Sequence, residues 1–386
     1  MRRLLAIILV CALIAGVGVG CKKAEVKPTE QVVNLGGIFP MTGSYAAFGT
    51  YSQNAMTMAV EEFNTAGGAT IDGVKTTINY INEDDAASPE VGASAAQKLI
   101  NQDKVIGIIG TVTSGVSLAI APIATAAGVP EIATTSTNEK VTLVSDYIFR
   151  VCFIDPFQGP VIANYAYNTV KAKTAAVIYD NANDGTLLLA QCFKTGFEKD
   201  GGKIVAYEAF TNENTTVDFN AQLTKIKAAK PEFLYVSCFY GAAALILKQA
   251  RAMGLNVPAG GSDGDDSPDL AKIGGAAAEG FVFSTNFSSG DPSPKGHNFV
   301  TAYTAKYGEA PGGPAALAYD ATGLILDAFK TCGSIKGSDI RDAIKNTTFT
   351  GISGAYKFDA NRNPIKAAVI VQIKNGQQTY LMKINP

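Results

Sequence analysis

The chain of 386 residues contains no tryptophan and only one histidine, His297. A metal site that needs two histidines is therefore excluded, and we predict a solvated loop for the segment SPKGHNF that contains His297. The lack of tryptophan argues against a sugar as ligand, because tryptophan is the side chain best suited to stack on a pyranose ring.

Motifs that hold cofactors are also missing. No G-x-G-x-x-G segment follows an apparent strand, and no G-x-x-x-x-G-K-[S/T] segment occurs. The acidic run Asp263 to Pro268 lacks the glycine and the glutamate that an EF-hand requires. We predict no cofactor, no metal and no enzymatic activity. An enzyme on the same type of sheet remains a rival interpretation, since a fold does not fix a function.

The charge balance argues against large anionic partners. The formal net charge is −2, and no run of Lys and Arg interrupts the sequence. Binding to a nucleic acid or to an anionic lipid surface favours such a run. With 47% hydrophobic and 17% charged residues, the composition is that of a globular protein of about two domains. A small molecule remains as the expected partner.

Residues 1–20 have the features of a secretory signal, with Arg2-Arg3, an apolar stretch from Leu4, and small residues before Cys21. The sequence around Cys21 resembles the bacterial lipoprotein cleavage box, in which that cysteine becomes the lipidated first residue. An uncleaved membrane anchor is the alternative, although the apolar stretch is shorter than the roughly 20 residues of a membrane span. We expect an exported protein, periplasmic or at the cell surface, with residues 21–31 as a tether.

Six cysteines occur, of which Cys11 leaves with the signal and Cys21 would be acylated. The others show no C-x-x-C spacing, so neither a zinc site nor a thioredoxin-like motif is indicated. Export allows disulfides, but the sequence leaves their pairing open. The remaining cysteines are Cys152, Cys192, Cys238 and Cys332.

Strand and helix patterns alternate from residue 32 onward. Strands are indicated at Val32–Phe39, Thr76–Ile81 and Val105–Ile109, and helices at Ala55–Asn64 and Pro89–Gln102. Such alternation favours a doubly wound, parallel α/β sheet. The rhythm restarts after residue 151, which predicts a second lobe, and an Asn-Gly pair between two apolar runs predicts a hairpin within residues 367–384.

Two clusters of hydroxyl groups each follow a strand in the middle of the first half. Ser114-Gly115 opens a helix after the strand that ends at Ile109, and Thr135 and Thr137 follow the strand Val129–Ala133. Open α/β sheets bind ligands at such strand ends, and a helix N-terminus suits an anion. Capping of helices by Ser and Thr is the alternative interpretation.

Seven segments, in order, resemble the periplasmic branched-chain amino-acid binding proteins of ABC transporters: GGIFPMTGSYAAFG, NTAGG, NEDDAASPE, GIIGTVTSG, IATTST, IDPFQG and GGSDGDDSP. The resemblance runs from about residue 32 to the C-terminus. It implies the type I periplasmic binding protein fold, in which two doubly wound parallel-sheet lobes are joined by a hinge with several crossings. It places lobe 1 at residues 32–151 and 286–353, and lobe 2 at residues 152–285 and 354–386.

The resemblance also implies a function. The protein would be a monomeric solute-binding lipoprotein that closes on a small molecule and delivers it to an ABC permease in the membrane. The expected hinge segments are Val151–Asp155, Ser284–Phe287 and Ser353–Lys357. A ligand-sensing receptor domain for an amide, a sugar or another small solute is the second interpretation.

An α-amino acid needs hydrogen-bond donors for its carboxylate and an acceptor for its ammonium, because desolvating either charge costs several kcal/mol. By the resemblance, Ser114, the N–H of Gly115 and Thr137 hold the carboxylate. Thr135 contributes a backbone carbonyl to the ammonium, and the carboxylate of Asp263 pairs with it. A simple turn residue is the alternative interpretation of Asp263.

The expected side-chain pocket departs from the family pattern. Phe48 and Phe239 match aromatic positions beside the ligand, and ordinary core packing is the alternative for both. Asp184 and Asp265 stand where the family often carries aromatic residues. A carboxylate beside the ligand side chain would disfavour leucine. We therefore expect an amino acid or a close carboxylate relative, not necessarily a branched-chain one.

Overall fold

Two β-sheets, each flanked by helices, divide the protein into two lobes around a cleft. The structure, a computed structural model, describes residues 29–386. The predicted signal, Cys21 and residues 21–28 of the predicted tether therefore lie outside the described residues. Between residues 29 and 386, no helix is both long and apolar enough to cross a membrane.

The first lobe starts with strands and helices in alternation, as the sequence pattern predicts. In chain order its elements are β1 (Glu30–Phe39), α1 (Ala46–Thr65), β2 (Ala69–Ile71), β3 (Val74–Asp84), α2 (Pro89–Asn101), β4 (Ile108–Ile109), α3 (Ser114–Ala127), β5 (Glu131–Ala133), α4 (Lys140–Leu143) and β6 (Ile148–Arg150). The sheet order is β2-β3-β1-β4-β5-β6. All pairs in it are parallel except β2 with β3 at the edge.

Local sequence signals fix the helix ends of this lobe. Ser88 precedes α2, and its Oγ accepts a hydrogen bond from the backbone N–H of Val91. Gly128 ends α3 in the left-handed conformation, with φ of 66°. The helix α3 begins at Ser114, a few residues beyond β4, so its N-terminus opens at the carboxyl edge of the sheet.

The second lobe repeats this alternation. Its elements in chain order are α5 (Asp155–Asn164), β7 (Thr174–Asp180), α6 (Asp184–Lys199), β8 (Lys203–Phe210), α7 (Asn220–Ala229), β9 (Phe233–Ser237), α8 (Tyr240–Ala252), β10 (Ala259–Gly261), α9 (Pro268–Gly274) and β11 (Val282–Thr285). The strands β7 to β11 pair in parallel. Their carboxyl ends face the cleft from the side opposite the first sheet.

The chain then returns to the first lobe. The returning elements are α10 (Pro294–Tyr307), α11 (Gly313–Cys332), α12 (Gly337–Lys345), β12 (Thr348–Gly351) and β13 (Gly354–Lys357). The helix α11 packs along α1. The loop predicted around His297 is wrong: this residue is exposed on the first turn of α10, because Ser293 accepts a bond from the N–H of Gly296 and starts the helix there.

A hairpin of β14 (Ala368–Lys374) and β15 (Gln377–Ile384) completes the second sheet. Its order is β15-β14-β11-β10-β9-β7-β8, and β14 lies antiparallel to β11. Asn375 and Gly376 form the turn with φ of 53° and 71°, the left-handed values that a two-residue hairpin turn requires. The predicted hairpin is confirmed.

The chain passes between the lobes after β6, after β11 and before β14. The last passage comes later than residue 354, since Arg362 still donates to the carbonyl of Ile148 in the first lobe at 3.0 Å. Lys366 is buried and joins the first passage to the third. Its Nζ donates to the carbonyl of Val151 at 3.1 Å and to Ser353 Oγ at 2.7 Å.

Candidate ligand-binding site

The cleft between the lobes contains about 420 Å³ of space free of protein atoms, part of it open to solvent. It lies at the carboxyl ends of both sheets, where open α/β sheets bind ligands. The first lobe contributes α1 and the segments after β4 and β5, and the second contributes α6 and the segments after β9 and β10. The lining residues are Phe48, Val112, Thr113, Ser114, Thr135, Thr137, Asn183, Gly185, Thr186, Leu189, Cys238, Phe239, Ser262, Asp263 and Gly264.

Most of the residues that the sequence proposed for the site line this cavity. Gly115 does not, because it faces the start of α2, where a Cβ atom on it would lie 3.8 Å from the ring of Pro89. Asp184 does not either, and its side chain is exposed. The residues that the structure brings together are Phe48, Ser114, Thr135, Thr137, Phe239 and Asp263.

The start of α6 explains the position of Asp184. Asn183 caps the helix, and its Oδ1 accepts hydrogen bonds from the N–H groups of Gly185 at 2.9 Å and Thr186 at 3.4 Å. Asp184 comes next and is exposed to solvent. At this position the positive end of the helix dipole stabilises a negative charge. Its carbonyl, not its carboxylate, faces the first lobe and accepts a bond from Asn138 Nδ2 at 3.5 Å.

Asp265, the second acidic residue expected on the apolar wall, also lies outside the lining. It is fully buried, and its Oδ2 accepts a bond from the N–H of Ser262 at 3.0 Å, which closes a short turn. Burial raises the pKa of Asp265 well above its usual value. Neither acidic departure from the family pattern therefore faces the cavity.

Hydroxyls and a helix N-terminus form one side of the cavity. Ser114 begins α3, whose first N–H groups have no partner within the helix. Ser114 Oγ accepts a bond from the N–H of Asn138 at 3.2 Å, which leaves its own hydrogen available to a ligand. Thr135 instead donates its hydroxyl to the carbonyl of Val112 at 2.9 Å, so that hydroxyl can only accept. This side suits a carboxylate near Ser114.

Arg150 holds the segment that presents Thr137. It is fully buried at the end of β6 and donates to the carbonyls of Ser136 at 2.6 Å and Asn138 at 2.8 Å. Thr137 lies between these two anchored residues, and its own carbonyl accepts a bond from the N–H of Asp155 at 3.1 Å. The backbone around Thr137 is therefore fixed before any ligand binds.

Asp263 provides the acidic side of the cavity. Its carboxylate is partly exposed to the cavity and accepts a bond from Gln158 Nε2 at 2.9 Å. Burial raises the pKa of Asp263 to about 7, while the bond from Gln158 lowers it. Among the residues that the structure describes, no lysine or arginine forms an ion pair with this carboxylate. A bound ammonium would relieve this cost.

Gln158 positions Asp263, a role that the sequence analysis did not predict. It is fully buried in α5, and its Nε2 also donates to Asp155 Oδ1 at 3.1 Å. Its Oε1 accepts a bond from Ser284 Oγ at 2.9 Å. Asp155 follows the first passage between the lobes and Ser284 precedes the second. Gln158 therefore connects the acidic side of the cavity to both hinge segments.

Aromatic rings from both lobes meet beside the cavity. The ring of Phe48 lies 5.9 Å from that of Phe239 and 5.3 Å from that of Tyr240. The ring of Tyr45 lies 4.3 Å from that of Phe239, and the hydroxyl of Tyr240 donates to the carbonyl of Ser44 at 2.7 Å. Since these contacts join residues of opposite lobes, the cleft is closed in this structure.

Hydroxyl, amide, thiol and apolar groups line the cavity, and Asp263 is the one acidic side chain among the lining residues. No group of three or more His, Cys, Asp or Glu side chains within residues 29–386 could hold a metal ion. Cys238, which lines the cavity, is a free thiol, as are the other three cysteines of this region. Burial raises the pKa of the Cys238 thiol well above its usual value, so it stays protonated and unreactive.

The sequence of the chain matches a known protein family and several curated proteins. A family model described as periplasmic binding protein matches residues 32–378. Among curated relatives, the Leu/Ile/Val-binding protein homolog 3 of Brucella melitensis is 32% identical over 275 residues, which cover 71% of this chain and 72% of that protein.

Solved structures resemble the chain over most of its length. The branched-chain amino acid transporter substrate binding protein LivJ of Streptococcus pneumoniae, in complex with isoleucine, is 35% identical with a TM-score of 0.86, covering 92% of this chain and 100% of that one. An ABC transporter solute binding protein of Rhodopseudomonas palustris, in complex with 3,4-dihydroxybenzoic acid, is 30% identical with a TM-score of 0.81, covering 92% and 97%. These matches confirm the two-lobed fold class that the sequence implies.

Proposed function

The chain belongs to the family of type I periplasmic binding proteins, and on that premise we propose that it captures an α-amino acid between its lobes as the solute-binding protein of an ABC importer. The observation that carries this proposal is the carboxylate of Asp263, which faces the cavity and forms no ion pair among the described residues. The ammonium of an α-amino acid supplies the cation that Asp263 lacks. Its carboxylate, attached to the same carbon atom, supplies an anion for the side of the cavity that carries the hydroxyl groups.

The two ends of a zwitterion fit opposite sides of this cavity. Ser114 and Thr137 come from the first lobe, and Asp263 comes from the second. A ligand can contact both lobes at the same time only when the cleft is closed. Binding energy therefore stabilises the closed form, because a ligand shifts an equilibrium by its differential affinity for the two states.

We also propose an apolar ligand side chain. Phe48, Val112, Leu189 and Phe239 provide aliphatic and aromatic walls, and neither Asp184 nor Asp265 lines the cavity. Each methylene group buried against such walls contributes roughly 0.8 kcal/mol. The isoleucine held by the LivJ relative belongs to this class of ligand.

An aromatic carboxylate, as held by the Rhodopseudomonas relative, is the competing ligand class. Such a molecule has a carboxylate for the hydroxyl side but no ammonium. It would desolvate Asp263 without a counter-charge, and the carboxyl would have to take up a proton instead. We therefore favour an amino acid over an aromatic acid.

Isothermal titration calorimetry of the purified protein, freed of bound ligand by reversible unfolding, tests this proposal. The ligands to compare are isoleucine, leucine, valine, lysine, glutamate and 3,4-dihydroxybenzoate. We expect the aliphatic amino acids to bind most tightly. Binding of the aromatic acid alone, or of no amino acid, would contradict the proposal.

We further propose that the protein is an exported monomer, attached to a membrane by a lipid on Cys21, beside the permease it serves. The N-terminal pattern supports the export and the lipid attachment. Labelling of producing cells with an alkyne fatty acid tests the attachment. We expect the wild type to be labelled and Cys21→Ser to be unlabelled. Equal labelling of both would contradict lipidation at this residue.

A further inference from the structure

A second contact between the lobes lies outside the ligand cavity and involves Glu213, in the loop between β8 and α7. The hydroxyl of Tyr45, just before α1 in the first lobe, donates to Glu213 Oε1 at 2.6 Å. The other carboxylate oxygen accepts a bond from the N–H of Phe239 in the second lobe, also at 2.6 Å. The side chain of Glu213 is buried, so one carboxylate binds a group from each lobe away from water.

The loop that carries Glu213 is fixed within the second lobe. Asp180, at the end of β7, is buried, and its Oδ1 accepts a bond from the N–H of Asn212 at 2.9 Å. Its Oδ2 accepts a bond from the N–H of Glu213 at the same distance, 2.9 Å. The position of Glu213 is therefore set by its own lobe. Closure only has to bring Tyr45 to it.

The rings of Tyr45 and Phe239 separate the ligand cavity from an outer groove. Phe239 lines both spaces, whereas Tyr45 and Glu213 line only the groove. At a centroid distance of 4.3 Å the two rings are in direct contact, which leaves no room for water between them. The pair covers this side of the cavity when the lobes meet.

We propose that Glu213 is a positioning residue for ligand capture, which fixes Phe239 at the cavity wall and latches Tyr45 of the opposite lobe. The bond to Tyr45 joins the two lobes and exists only in the closed form. Its free energy therefore adds to that of closure and raises the apparent affinity for any ligand that needs closure. The inference rests on the proposed function, because capture here means binding of the proposed ligand. The latch, which is the hydrogen bond between Tyr45 and Glu213, does not depend on the ligand's identity.

The test compares two tyrosines that each donate to a glutamate. Tyr45→Phe removes the hydroxyl that crosses between the lobes. Tyr51→Phe is the matched control, because the hydroxyl of Tyr51 donates to Glu309 Oε2 at 3.2 Å within the first lobe. We expect Tyr45→Phe to weaken isoleucine binding about tenfold, as measured by calorimetry, and Tyr51→Phe to leave it unchanged.

Small-angle X-ray scattering provides a readout that does not need a ligand. We expect a larger radius of gyration for ligand-free Tyr45→Phe than for the wild type and for Tyr51→Phe. Glu213→Ala is a second variant, because it removes both carboxylate oxygens and with them the acceptor of the Tyr45 hydroxyl. Adding Tyr45→Phe to Glu213→Ala should not weaken binding further, because the bond that Tyr45→Phe removes is already lost in Glu213→Ala.

The outcomes separate the latch from the amino-acid proposal. If the wild-type protein gives no heat with isoleucine, that result counts against the amino-acid proposal. Scattering of the ligand-free proteins alone then tests whether the latch exists. A larger radius in Tyr45→Phe supports it. Wild-type affinity and wild-type scattering in Tyr45→Phe, or wild-type scattering alone where isoleucine does not bind, would overturn it.

Discussion

At the scale of single residues, Asp263 carries the argument for an ammonium in the cavity. We expect Asp263→Asn to weaken isoleucine binding by about 2–5 kcal/mol, because the ligand's charge would then be buried without a counter-charge. Asp184→Asn is the matched control, since Asp184 is exposed at the edge of the cleft. Calorimetry of both variants measures the difference. Equal effects of the two changes would contradict the assignment.

The same carboxylate gives the affinity a pH dependence. Burial raises the pKa of Asp263 to about 7, and the nearby Asp155 and Asp266 raise it as well. A bound ammonium lowers the pKa of Asp263 in the complex, so Asp263 carboxyl groups that are protonated in the free protein must release their proton on binding. We expect affinity to fall as the pH decreases below about 7, with proton release visible in calorimetry across buffers of different ionisation enthalpy. Affinity that rises as the pH falls would count against this role.

Residues whose partners are far away in the sequence could not be found from it. Gln158 bonds to Asp263 across 105 positions, and Tyr45 bonds to Glu213 across 168. Nothing local marks either pair. Ser114, by contrast, was predictable because a strand end and a helix start are both local patterns.

At the scale of elements, the start of α6 forms one wall of the cavity and contains Gly185. A Cβ atom on Gly185 would lie 3.3 Å from Asn183 Oδ1, which caps the helix, and 3.6 Å from Ser114 Oγ, which belongs to the other lobe. We expect Gly185→Val to weaken isoleucine binding at least tenfold, because the added branches occupy the space between the lobes, while the melting temperature of the ligand-free protein changes little.

Gly241→Val, at the start of α8, is the control for this substitution. A Cβ atom there meets no other atom within 4 Å. Calorimetry should show wild-type affinity for this variant. The expectation for the cleft wall is wrong if Gly185→Val also binds isoleucine like the wild type.

Elements with strong local signals were predictable and weak ones were not. The hairpin of β14 and β15 follows from Asn375-Gly376 between apolar runs. The strand β2 was missed, because its three residues are too few to show an alternating pattern. The orientation of Asp184 could not be predicted from the sequence either. If the helix began one residue later, Asp184 would be the capping residue and would not face solvent.

At the scale of the whole molecule, Lys366 joins the passages between the lobes. Burial lowers the pKa of its ammonium to about 8, while the buried Asp320 nearby raises it. We expect Lys366→Met to reduce the free energy of unfolding by about 3–5 kcal/mol, because it removes a positive charge from beside a buried carboxylate. Urea unfolding measures this, with the exposed Lys345→Met as control. Equal stabilities of the two variants would refute the role of Lys366.

The two-lobed architecture was predictable because the alternation of strands and helices that begins at residue 32 restarts after residue 151, and because the family resemblance implies two lobes. The relation between the lobes was not, since it depends on side chains that meet only after both have folded. Phe48 and Phe239 illustrate the difference: each matches an aromatic family position, but only the structure shows their rings 5.9 Å apart across the cleft.

The central claim is that the cleft recognises both charges of an amino acid at once. Calorimetric comparison of isoleucine with 2-hydroxy-3-methylpentanoate, which lacks the ammonium, and with isoleucine methyl ester, which lacks the carboxylate, tests it most directly. We expect isoleucine to bind and each analogue to bind at least about a hundredfold more weakly. Binding of either analogue as tightly as isoleucine would contradict the claim.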